Sequence, residues 1–172
     1  MDKLPVDPAT AERLKVGPDE MKVLASTADT GGALFALEMR MAPGGGPPVM
    51  HRHASGEVYH VIEGEFTFHL GLGDDARQVT ARAGDTVPMA GGTPHTIRNE
   101  SDADAVAFVV HAPGAPLEDF SRAAALLAAE REPTIEDVLA LAERHGIDML
   151  GPIPAETTPP STSPRDVSAI GT

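Results

Sequence analysis

Three histidines and a glutamate are spaced so that they can converge on one metal ion: His51, His53, Glu57 and His95. His51 and His53 lie two apart, and on an extended strand that spacing turns both imidazoles to one face. Glu57 follows Ala54-Ser55-Gly56, a small and flexible turn that can lay the next strand alongside. His95 comes 42 residues after His53 and opens a strand just beyond a Gly-rich loop. Three neutral imidazoles and one carboxylate make a borderline-hard donor set, suited to one divalent transition ion such as Fe, Mn, Ni, Co, Cu or Zn.

The other chemistry-bearing residues narrow the field. Cysteine is absent, which excludes disulfides, thiolate metal sites and Cys nucleophiles. Gly44-Gly45-Gly46 lacks a following Lys and opens no helix, so it is not a phosphate cradle. No Ser or Thr sits in a nucleophile elbow. Tyr59 shares the face of Glu57 by alternation, which makes Glu57 and Tyr59 the candidate catalytic pair. His60 and His69 fall on outward positions, His111 reads as a hydrogen-bonded core or rim residue, and His145 ends the last helix, where a cation suits the dipole. Arg52 and Arg98 point away from the ligand positions. With no cation inside to clamp a phosphate, the interior suits a modestly apolar small molecule.

The elements that must position these residues are short strands. MKVLAS (21–26) and ALFALEMRM (33–41) are separated by a turn, and in the second Phe35, Leu37, Met39 and Met41 alternate inward. Strands follow at 57–63, 65–71, 77–82, 85–89 and 95–99, punctuated by Gly and Asp. AVAFVVHA (105–112) reads as buried on both faces or nearly so. Residues 1–20 read as an N-terminal arm, 21–115 as the barrel and 116–150 as a helical extension. The extension holds two helices expected to pack outside the barrel. Thr134 caps the second, with Asp137 three residues on, and Ile135, Val138, Leu139 and Ala142 share its apolar face. The Pro-, Ser- and Thr-rich tail 151–172 is expected to be disordered. The fold class is all-β, a closed or double-sheet antiparallel barrel.

Composition agrees. Seventeen Gly and 16 Pro among 172 residues suit frequent turns. A formal charge of −13 argues against nucleic acid and against an anionic membrane, since both need clustered Lys and Arg. The N-terminus has no apolar leader and no stretch is long enough to span a bilayer, so the expected location is cytoplasmic.

Two stretches resemble the paired motifs of the cupin superfamily. The first runs from Gly45 through His51-Arg52-His53 and Glu57 to Gly64, with every anchor in register. The second runs from Gly84 through Ala90-Gly91-Gly92 and His95 to Asn99, with Ala90 standing where the family has Pro. The resemblance implies a jelly-roll barrel whose metal ligands are His51, His53, Glu57 and His95, with a single copy of the domain and pairing as a homodimer. It further implies the chemistry of the quercetin dioxygenase-like cupins, oxidative cleavage of a hydroxylated or enolisable compound. Lewis-acid lyase, isomerase or cyclase chemistry, and a non-catalytic small-ligand-binding role, stand as the alternatives.

Overall fold

A computed structural model describes residues 5–154 of the chain. In order come β1 (Arg13–Val16), β2 (Asp19–Ala25), β3 (Phe35–Met41), β4 (Val49–Arg52), β5 (Gly56–Glu63) and β6 (Glu65–Leu70). Next are β7 (Arg77–Arg82), β8 (Thr86–Met89), β9 (His95–Arg98) and β10 (Ala105–Ala112). The helices α1 (Ala115–Glu130) and α2 (Ile135–Arg144) precede a last strand, β11 (Asp148–Pro152). In β5 the period of two is plain: Glu57, Tyr59 and Val61 are buried while Val58, His60 and Ile62 are exposed.

The strands form two antiparallel sheets, ordered β1-β2-β3-β10-β5-β8 and β11-β4-β9-β6-β7. Leu37, Tyr59, Val61, Ala107 and Val109 from the first meet Phe66, Phe68, Leu70 and Ile97 from the second in one buried core. The expected all-β architecture is therefore present in its double-sheet form; among the described residues the two sheets do not join into one closed ladder.

Four local expectations need correction. Residues 13–20 belong to a hairpin, with Leu14 opposite Met21 and both buried, so that stretch is not a free arm. Leu14 and Val16 alternate with Arg13 and Lys15 over four residues only, too short a run to mark a strand by itself, and pairing with β2 and packing under α1 secure it. β10 is not covered on both faces, because Phe108 is exposed on the outer side while Ala107, Val109 and His111 face in. The two helices pack outside the sheets as expected, α1 against β1 and α2 against α1 and β11, but the buried face of α2 is Leu141 and Ala142 while Ile135, Val138 and Leu139 stay exposed. Finally, Asp148–Pro152 pairs with β4, so the expected tail begins inside a strand; the rest of that expectation, from residue 155, lies outside the described residues. The Thr134 cap forms as expected, with a reciprocal bond to Asp137.

The loop 42–48 ties β4 to β9, and so His51 to His95. Asp19 accepts bonds from the N–H groups of Ala42 at 3.1 Å and Gly46 at 2.8 Å. Burial pushes its pKa up despite those bonds. From the other side Arg98 donates to the carbonyls of Gly44 and Gly46. Asn99, fully buried, donates to Met41 O and Ala103 O and so closes the next turn. Gly46 has φ +91°, and a Cβ there would sit 2.2 Å from the Ile97 carbonyl of β9. Gly46→Ala is expected to cost at least about 1–2 kcal/mol from its left-handed backbone alone. It should also push β4 off β9, so the urea midpoint and metal uptake should fall together.

Candidate metal centre

β4 and β9 are neighbours in register, with His51 directly opposite His95, so their side chains leave the sheet on one face. His53 lies just past β4, where the Gly-rich loop before His95 folds back on it. Gly92 N–H donates to the His53 carbonyl at 2.7 Å, and a Cβ on Gly91 would meet the Ala54 carbonyl at 2.0 Å. Only a chain without side chains at this point can press so closely. Ala90, in place of the family's Pro, leaves the turn closed by Thr93 N–H on Ala90 O. Glu57 arrives on β5 of the other sheet and faces the histidines across the interior.

One ring nitrogen from each of His51, His53 and His95 lies within 4.8 Å of the others. The Nδ1 of each faces a backbone carbonyl: Val49 at 3.4 Å, Ser55 at 3.1 Å and Thr93 at 2.8 Å. That arrangement makes Nδ1 the protonated donor and leaves Nε2 with its lone pair toward the interior, the tautomer a metal needs. Glu57 Oε1 is 3.3 Å from His53 Nε2, and its Oε2 is 3.2 Å from His95 Nε2. A further histidine also reaches it: His111 Nδ1 lies 2.9 Å from Oε1. Close as they are, His53 Nε2, Glu57 Oε2, His95 Nε2 and His111 Nδ1 are all buried without a partner in hydrogen-bond geometry. Orphaned buried polar atoms are costly, and those on His53, Glu57 and His95 are ones a cation among them would satisfy.

The electrostatics fit the same group. Burial, reinforced by the neighbouring His95, pushes His51 down to about 4, so its ring is neutral at pH 7. Burial pushes Glu57 up, but contacts with His111, His53 and His95 outweigh it and hold the carboxyl well below its ordinary range. Burial likewise pushes His95 down, and Glu57 more than reverses that shift. The buried carboxylate thus calls for positive charge here, either a proton on a ring or a cation among the rings. A set of three Nε2 atoms and a carboxylate suits a first-row divalent ion. His51 is half-buried whereas His53, Glu57 and His95 are buried, so His51 is the most exposed of the four.

Tyr59 stands one pleat along β5 from Glu57 on the same inner face, edge-on to Phe68 at 5.4 Å. Burial and the charge of Glu57 push its phenol well above the ordinary value, so it stays protonated. His60 is outside, bonded to Thr86 at 2.9 Å, and Arg52 turns away to Asp148 at 2.9 Å. His69 pairs with Glu100 at 2.9 Å. A surface groove of about 470 Å³ between α2 and β11 is lined by Leu139, Glu143 and Asp148 but by none of the three histidines. His111 was the residue that sequence reasoning undervalued. Period-two alternation puts it on the face of Ala107 and Val109, but reading β10 as buried on both sides hid that signal.

A double-stranded β-helix with a three-histidine cluster between its sheets defines a class of metal-binding scaffold. Residues 37–111 match the cupin domain family. That stretch contains both motifs, and the fold around it is the cupin fold. No curated protein matches its sequence. Among solved structures, a predicted oxalate decarboxylase from Thermotoga maritima is 26% identical with a TM-score of 0.54, covering 63% of this chain and 98% of that one. The polyketide cyclase RemF from Streptomyces resistomycificus is 19% identical with a TM-score of 0.54, over 63% of this chain and 78% of that one. Bacillus subtilis oxalate decarboxylase, described with Mn(II) centres, is 17% identical with a TM-score of 0.53, over 63% of this chain and 29% of that one. Likeness at this level speaks for the fold. No helix among the described residues is long and apolar enough to cross a membrane.

Proposed function

We propose that this chain is a metal-dependent enzyme acting on a small organic molecule, and that it is a dioxygenase of a hydroxylated or enolisable compound. The observation that carries the reading is the convergence of three lone-pair-bearing Nε2 atoms, each ring set by a backbone carbonyl, beside an ionised buried carboxylate. His51, His53, Glu57 and His95 would hold one divalent ion. When bound, a redox-active ion supplies dioxygen activation, and a Lewis-acidic one supplies polarisation of a substrate carbonyl or hydroxyl.

The chain's own residues do the rest. Glu57 accepts the proton of a substrate hydroxyl, a role its ionised state allows. Tyr59, held protonated, offers an O–H to a substrate oxygen. Phe68 and Ile97 exclude water on the core side. The apolar strip of Val58, Ile62 and Phe108, exposed on the outer sheet face, supports pairing as a homodimer. One observation favours the Lewis-acid alternative, lyase, isomerase or cyclase: a carboxylate and a protonated phenol on one strand face form an acid–base pair that needs no oxygen.

Metal analysis of the purified protein, followed by oxygen uptake with flavonols, catechols and diketones, tests the reading. The expected result is about one ion per chain and uptake with at least one compound class. Product formed without oxygen uptake would select the Lewis-acid reading. Failure to retain any divalent ion after reconstitution would overturn both and leave a binding module.

A further inference from the structure

His111 lies outside the proposed donor set, yet among the three imidazoles around Glu57 it approaches the carboxylate most closely, at 2.9 Å against 3.2 and 3.3 Å. We infer that His111 is a positioning residue for the metal centre: its ring, fixed by Phe35, holds Oε1 of Glu57 and sets the orientation in which the carboxylate meets the ion. The inference rests on the proposed metal centre.

The backbone register builds the contact. Phe35 on β3 pairs with His111 on β10, and His111 pairs with Glu57 on β5, so the three side chains form one row on the inner face. Side chains directly opposite in neighbouring strands lie within contact distance, so the row is set by the ladder itself. Phe35 is fully buried and stacks on the imidazole at 5.9 Å with an interplanar angle of 20°. The ring is therefore wedged between an aromatic face and a carboxylate.

Its chemistry differs from that of the other three. His51, His53 and His95 commit Nδ1 to backbone carbonyls and aim Nε2 inward. His111 turns Nδ1 to the carboxylate instead. The inner face of β10 is otherwise Ala105, Ala107 and Val109, all buried. An imidazole in such a row costs free energy unless a polar group faces it, and the group it faces is the Glu57 carboxylate, at 2.9 Å though outside hydrogen-bond geometry. A carboxylate torsion is broad and two-fold, so an ionised side chain without an outer partner would sample several orientations. Contacts behind a ligand fix that torsion.

His111→Leu keeps the bulk and removes the nitrogen, whereas His111→Asn places an amide N–H near the position of Nδ1. The full-length apo protein and both variants are titrated with Co(II), reading the dissociation constant and the visible absorption of the bound ion. The leucine variant is expected to bind about 10–100-fold more weakly, with a shifted absorption, and the asparagine variant to recover most of the loss. Wild-type affinity and spectrum in the leucine variant, or an asparagine variant no better than leucine, would reduce His111 to a packing residue and overturn the inference. If the leucine variant loses its cooperative melt, His111→Met takes its place under the same two outcomes. A wild-type chain that binds no Co(II) would fail differently, overturning the metal centre and this inference with it.

Discussion

Replacing His53 with alanine is expected to weaken divalent-metal binding several hundredfold while the two sheets stay folded. Structural sites of four ligands bind with roughly 10–16 kcal/mol, so one ligand carries about 3–4 kcal/mol, or two to three decades in affinity. The fold should survive because His53 lies past the end of β4, in a loop outside the main hydrophobic core. Its backbone carbonyl, which accepts from Gly92 N–H, remains in the variant, so the loop that delivers His95 keeps its anchor. Glu57 Oε1 loses one imidazole and retains His111 at 2.9 Å. The checks are metal-to-protein ratio after desalting and a urea melt of the same sample. Wild-type metal content in this variant would contradict the ligand assignment.

Phe68→Ala is expected to lower stability by about 3–5 kcal/mol. The ring is fully buried at the middle of β6, faces the other sheet and meets Tyr59 edge-on. Alanine would leave a void in a core whose other large rings, Phe35, Tyr59 and Phe66, are already packed in place. A domain has only about 5–15 kcal/mol in total, so the loss is a large share of it. For a chain of this size it corresponds to a fall in melting temperature of roughly 6–20 °C. The site should feel it too, since Phe68 pairs with Ile97 and the next inner position, Leu70, pairs with His95. Calorimetry of the metal-free protein gives the number directly. A loss below about 1 kcal/mol would mean the sheets repack around the void.

The two predictions draw on different parts of the chain's legibility. The approach of His51, His53 and His95 was readable because each carries its own local instruction. A two-residue spacing on a strand, a small turn, and a Gly-rich loop before a strand all act within a few residues. Period-two alternation likewise placed Tyr59 inward and His60 outward, since a pleated strand offers only two faces. The helix cap at Thr134 is equally local, made by side chains three residues apart.

Long-range choices were not readable in this way. β1 and β11 are short and hold few large apolar residues, and they become strands because β2 and β4 present open edges to pair with. α2 shows several apolar residues, and which of them is buried depends on where α1 and β11 sit, not on its own period. His111 is the clearest case: its sequence neighbours say only that it faces in. That it meets Glu57 follows from the register between β10 and β5, strands separated by more than forty residues. The amino-acid sequence by itself determined the β class, the paired motifs and the inward-facing donors, because short-range geometry decides those. Tertiary structure alone decided which buried groups touch, since contact between strands remote in sequence is set by packing that no local pattern encodes.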